Sequence, residues 1–233
     1  MRHDKFIEDI IASNKSKLNL FKDLVIKYNE TINLISRKKH NIDDIFNRHI
    51  IDSIQLVKYL IPDFDSVKND IDQHISNITI RKKIIDLGSG GGFPGIIIAL
   101  IFPCDITLVE SNYKKSVFLS KAKTLLDHNM SSISIINDRI ENIGKGGKDN
   151  NILSYDYCIS RAFASLKKIL FLTKNFNIQS KYILHKGQTY QDEINEALTF
   201  FSFNYNVSPS IFNLNDGGVI LEIPSKYKES LRQ

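Results

Sequence analysis

The sequence predicts an α/β fold: a doubly wound, mostly parallel sheet of seven strands, closed by an antiparallel hairpin and preceded by a helical extension. Three observations predict it. From Lys83 onward, short apolar runs alternate with stretches of helical period. The first of these runs ends on a dense glycine loop. The tail, 200–207 and 218–223, alternates apolar and polar at period two, the mark of a hairpin.

The elements follow in order. Residues 4–29 read as one helix, with Phe6, Ile10, Leu18, Phe21, Leu24, Val25 and Tyr28 at helical spacing. A basic turn, Arg37-Lys38-Lys39, leads to a second helix over 41–60. Asp43 and Asp44 favour its positive end and Pro62 closes it. The polar stretch 62–81 shows no clear period and reads as a linker or a variable insertion. Ile84-Ile85-Asp86-Leu87 has the look of a buried parallel strand. A helix follows over 94–102, with Pro94 at its first turn, where a missing N–H costs little. Strands at 105–110, 132–137, 155–160 and 182–185 alternate with helices at 114–128, 166–171 and 191–199. Residues 144–151 form a glycine- and lysine-rich surface loop. The chain thus divides into a helical extension and linker, 1–81, and a sheet domain, 82–233.

Composition narrows the function classes. The 233 residues, 42% hydrophobic and 24% charged, suit a globular chain with a sizeable core. Cys104 and Cys158 give neither a zinc spacing nor a disulfide framework, so no metal and a cytoplasmic location are expected. The N-terminus leads into an amphipathic stretch and reads as neither signal peptide nor membrane span. A net charge of +5 fits a polyanionic partner such as nucleic acid, and fits equally a chain rich in Lys and Asn for other reasons.

The chemistry concentrates in Asp86-Leu87-Gly88-Ser89-Gly90-Gly91-Gly92-Phe93-Pro94-Gly95. Gly90-x-Gly92-x-x-Gly95 satisfies the dinucleotide fingerprint, and Glu110 ends the next strand where a ribose-binding acid belongs. An NAD-type oxidoreductase is therefore a competing reading. Asp86 favours S-adenosylmethionine: this cofactor carries a sulfonium cation and no pyrophosphate for the acid to repel. Gly88 and Gly90 would let the backbone approach the ligand. Asp138-Arg139-Ile140-Glu141, after the third strand, lies where such sheets cover an adenine ring, and Asp138 can equally cap a helix start.

These residues resemble the RsmG (GidB) family. The glycine loop, Leu108-Val109-Glu110-Ser111, Lys114-Lys115-Ser116-x-Phe118-Leu119, Ser160-Arg161-Ala162-Phe163-Ala164-Ser165 and Lys186-Gly187-Gln188 carry the resemblance. Asn33-Leu34-Ile35 and Arg48-His49-Ile50-x-Asp52-Ser53 extend it upstream. The resemblance implies a Rossmann-like class I methyltransferase fold and transfer of a methyl group from S-adenosylmethionine to N7 of a guanine in 16S ribosomal RNA. The partner would be that RNA or the small ribosomal subunit, and the chain a monomer. By position, the cofactor contacts would be Gly88, Phe93, Ile140, Glu141 and Arg161, with Asp86, Gly90 and Glu110 beside them. No general base is required. Arg48, His49, Asp52 and Lys186 are the candidates for positioning the substrate. The chain departs from the family's pattern in its long polar stretch 69–81 and in Asp216-Gly217-Gly218-Val219, which lacks basic residues. A small-molecule or protein methyltransferase on the same fold, and a non-catalytic RNA-binding protein, remain alternatives.

Overall fold

The computed structural model describes residues 4–35, 42–125, 131–143, 153–211, 218–225 and 227–229, and the side chains of all but 42–47 and 125 among them. Residues 37–39, 144–151 and 216–217, singled out in the sequence, lie outside these.

The chain opens with two helices where one was expected, α1 (Lys5–Ser13) and α2 (Lys15–Asn29). The break is at Asn14, whose side-chain amide donates to the Ile10 carbonyl and so competes with the helix backbone. The second expected helix is also divided, into α3 (Ile42–Ile54) and α4 (Val57–Leu60). The expected linker is a correction: it contains α5 (Phe64–Val67), a 3-10 turn and α6 (Ile71–Ser76). Ile71 and Ile75 are buried and Phe64 sets its ring edge-on to Phe6, so packing orders what composition marked as polar.

Five parallel strands follow: β1 (Lys82–Leu87), β2 (Cys104–Val109), β3 (Ser132–Ile136), β4 (Ser154–Arg161) and β5 (Asn177–Lys186). Between them run α7 (Gly95–Ile101), α8 (Tyr113–Leu125), α9 (Leu166–Thr173) and, after β5, α10 (Tyr190–Leu198). The tail holds β6 (Phe201–Ser202), β7 (Asn206–Pro209), β8 (Val219–Pro224) and β9 (Lys228–Glu229). The main sheet has seven strands in the order β3-β2-β1-β4-β5-β8-β7, with β8 antiparallel to both neighbours. The expected hairpin is therefore present, but its first arm begins at Asn206. Phe201 instead joins a separate two-stranded ribbon, β6 with β9.

The strand order reverses beside β1, whose two neighbours are β2 and β4. In open α/β sheets ligands bind outside the carboxyl ends of the strands at that point. Every residue of α7 is buried, which one sheet face alone does not achieve. The N-terminal helices cover its outer side: Phe21 of α2 meets Phe93 and Phe118, and α1–α3 share one apolar core with α7, α8 and β2. The Asn29 carboxamide accepts from the amides of Leu34 and Ile35 and fixes the turn after α2. A Cβ on Gly91 would stand 3.1 Å from the Leu34 carbonyl, so this turn rests directly on the glycine loop.

Candidate functional site

The glycine loop leaves β1 at Gly88 and re-enters helix at Gly95. Gly88 and Gly90 take φ of 70° and 55°, a region that side chains disfavour. The amides of Gly88 and Ser89 both donate to the Val109 carbonyl, at 2.9 and 3.0 Å, which ties the loop to the end of β2. Just beyond, the Glu110 carboxylate accepts from the Gly90 amide at 2.9 Å and from the Asn112 amide at 2.7 Å. It is buried and pre-oriented at the switch point. Asp138 stands before the 3-10 turn Ile140–Asn142 without capping it, accepting from the Asn142 carboxamide and the Arg139 amide; those bonds hold its carboxyl below the usual range. Together these segments enclose a cleft of about 330 Å³, walled by Gly88, Gly90, Glu110, Ile140, Glu141 and Phe163. A larger hollow of about 470 Å³ lies by Phe6, Tyr59 and Phe64, away from this loop. Volume does not make it the site, because its Asp4, Lys5, Asp65 and Lys68 are exposed and solvated.

Asp86 lies beneath the loop, fully buried. One carboxylate oxygen accepts from the Gly95 amide at 3.2 Å and the other has no partner. Gly95 is a glycine because a Cβ there would stand 2.5 Å from that same carboxylate. Burial pushes the Asp86 pKa up to about 7, and the Glu110 charge adds to the shift. Between the unfolded value of 3.8 and about 7 the folded chain holds a proton that the unfolded chain releases. Asp86 therefore contributes a loss of stability as pH rises through that window, complete above it. Asp86→Asn is expected to stabilise the fold near pH 8 by roughly 1–3 kcal/mol, relief of desolvation less the cost of an unpaired buried amide. Near pH 4 it should be neutral or destabilising. Urea unfolding at both pH values checks the reversal; a variant less stable at pH 8 would contradict it.

A second polar cluster sits beside the loop and joins α3 to the sheet. Asp52 is fully buried. Its Oδ2 lies 3.1 Å from Arg161 Nη2, an ion pair without hydrogen-bond alignment. Its Oδ1 accepts from Gln55 Nε2 and Ser210 Oγ at 3.2 and 3.0 Å, with His185 Nε2 3.8 Å away. The Arg161 guanidinium also meets His49 Nδ1, and the His49 ring stacks on Phe93 at 5.0 Å. Burial first, and the Arg161 charge second, lower both histidines to about 3. Both rings are therefore neutral at physiological pH, which lets His49 accept from the guanidinium. For these two groups the folded value lies below the unfolded 6.5, so stability falls as pH drops from 6.5 toward 3.

A profile of the rRNA small subunit methyltransferase G family, GidB, matches residues 14–217. The ribosomal RNA small subunit methyltransferase G of Rickettsia bellii (strain OSU 85-389) is 38% identical over 195 residues, 84% of this chain and 86% of its own. That of Orientia tsutsugamushi (strain Boryong) is 36% identical over 213 residues, 90% of this chain and 91% of its own. The chain belongs to the rRNA small subunit methyltransferase G family. The fold is shared more widely. Magnesium protoporphyrin IX methyltransferase of Synechocystis, solved with SAM bound, superposes with a TM-score of 0.55 at 16% identity, covering 88% of this chain and 97% of that one.

In this family member the structure gathers most of the expected site residues into two groups and leaves others outside them. Gly88, Gly90, Glu110, Ile140 and Glu141 wall one cleft. Asp86 and Phe93 do not: Asp86 is sealed under the loop, and Phe93 is packed between Phe21 and His49. Arg161 is turned into the cluster with His49 and Asp52, and half-buried Arg48 sits one residue before His49 on α3. Lys186 stands apart from both. It is buried, and its ammonium donates to the Ala164 carbonyl and to Glu193, each at 2.7 Å. Gln55, His185, Ser210 and Glu193 were not anticipated. Their partners lie up to 158 residues away, and no local pattern announces them.

Proposed function

We propose that this chain transfers a methyl group from S-adenosylmethionine to N7 of a guanine in 16S ribosomal RNA. The observation that carries the reading is the cleft at the carboxyl edge of the sheet, where the open Gly88–Gly90 backbone faces the buried Glu110 carboxylate. The residues present fit this cofactor. Glu110 keeps lone pairs for the two ribose hydroxyls, having used one bond per oxygen on loop amides. Ile140 offers a buried apolar face and Glu141 a polar edge for the adenine. Gly88 and Gly90 admit the methionine moiety. Asp86 acts through the loop it supports, Phe93 through packing, and Arg161 reaches the methionine carboxylate from its cluster.

The bound cofactor supplies an electrophilic methyl group. Guanine N7 already presents an in-plane lone pair, so the chain need remove no proton before attack. What its residues contribute is alignment and exclusion of water. His49 and Asp52 set the position of Arg161, Lys186 sets that of the loop after β4, and Arg48 beside them is a candidate for positioning the RNA. Residues 1–81 form the helical extension and 82–233 the cofactor domain, and the chain acts as a cytoplasmic monomer on the RNA or the small subunit. Among the described residues no helix is long and apolar enough to cross a membrane.

Titrations with S-adenosylhomocysteine and with NAD test the cofactor. Saturable binding of the first and none of the second is expected. Tight binding of NAD alone would overturn the reading. Affinity for RNA should fall steeply with salt, since phosphate contacts release counterions.

A further inference from the structure

The segment after β4 carries a feature that the proposed reaction does not itself explain. Ala162 has a φ of 51°, a conformation that a residue with a side chain seldom takes without support. The next residue, Phe163, lays its ring so close to Gly88 that a Cβ there would stand 2.4 Å from the ring edge. That ring forms one wall of the cleft. Something must hold the segment in this strained form, and the contacts name it. One oxygen of Glu193, on α10, accepts from the Leu166 amide at 2.8 Å and from the Lys186 ammonium at 2.7 Å. Lys186 in turn donates to the Ala164 carbonyl. Three elements, β5, α9 and α10, thus meet at one carboxylate oxygen and grip the chain on either side of Ser165, directly after the Phe163 ring. Lys186 is buried, so its charge needs the carboxylate beside it.

We propose that Glu193 is a positioning residue for the cofactor cleft: with Lys186 it holds residues 162–165 in the strained form that seats the Phe163 ring against Gly88. Glu193 does not wall the cleft itself, so it acts only through that ring. The inference rests on the proposed cofactor, and the test separates the two.

The test is a double-substitution cycle in the full chain, read as the dissociation constant for S-adenosylhomocysteine by calorimetry. Thermal melts identify folded variants. Glu193→Ala and Phe163→Ala are each expected to weaken binding about tenfold. The double variant should bind no more weakly than Phe163→Ala alone, because the two residues act as one device. Glu193→Gln retains an acceptor for the Leu166 amide and should recover part of the loss. If Glu193→Ala does not fold, Glu193→Gln takes its place in the cycle. Additive losses, or binding by the Glu193 variants equal to that of the parent, would overturn the positioning role. Failure of the parent chain to bind S-adenosylhomocysteine would instead overturn the cofactor reading beneath it.

Discussion

Gly88→Ala is expected to cut affinity for S-adenosylhomocysteine on the order of a hundredfold, about 3 kcal/mol, in a chain that still folds. Two effects add. The φ of 70° costs an alanine about 1 kcal/mol. The new methyl also strikes the Phe163 ring, with atoms of that side chain at 2.4, 3.0 and 3.2 Å from the Cβ position. The last of these is Phe163 Cβ, so even after the ring turns away the segment gripped by Glu193 and Lys186 must give by a few tenths of an ångström. Displacement deforms the wall that faces the cofactor. Calorimetric titration beside a thermal melt checks it: a folded variant with parental affinity would show that the ring and the glycine do not shape the binding site. Gly90→Ala is the control on the same loop. Its Cβ would meet only the Gly88 carbonyl, at 3.7 Å, so it carries the backbone cost without the clash.

The largest loss of stability is expected from Asp52→Ala. The carboxylate is fully buried and opposes Arg161, whose side chain is 17% exposed. Removing it strands a charge in a region where burial already lowers the Arg161 pKa, and takes one acceptor each from Gln55 and Ser210. Breaking a buried pair in this way costs about 3–5 kcal/mol. For a chain of this length that is a fall in Tm of roughly 10 °C. A thermal melt measures it. The companion variant, Asp52→Leu with Arg161→Met, removes both charges and should regain much of the stability. It should not regain cofactor affinity, because Arg161 is proposed to meet the methionine carboxylate. If the double replacement bound like the parent, Arg161 would have a structural role alone.

The parts of this site legible in the sequence are those built from neighbours along the chain. Ile84-Ile85-Asp86-Leu87 is apolar because both faces of β1 are covered, and the glycines follow because the backbone turns there through positive φ. Glu110 could be placed because β2 runs parallel to β1 with Asp86 opposite Leu108, so both strands end at one edge. Strand and loop chemistry are both local signals. What escaped depends on contacts across the chain. Ile71 and Ile75 announce a helical turn only once Phe64 is known to lie against Phe6. His49 and Arg161 could each be named from motifs, yet that they touch follows from α3 lying over the sheet. His185, next to Lys186, gave no sign of belonging with Asp52. The motif makes Lys186 a candidate for positioning the substrate, and only the fold shows that its bonds run to Ala164 and Glu193.

The most direct test of the central claim is methylation of small-subunit ribosomal RNA with methyl-labelled S-adenosylmethionine, offered both as naked 16S RNA and as the assembled subunit, followed by mapping of the labelled atom. The result expected is label on N7 of a guanine, at a rate whose pH profile shows no limb assignable to a protein acid or base. Label on any other base atom, or a bell-shaped profile for the chemical step, would contradict it.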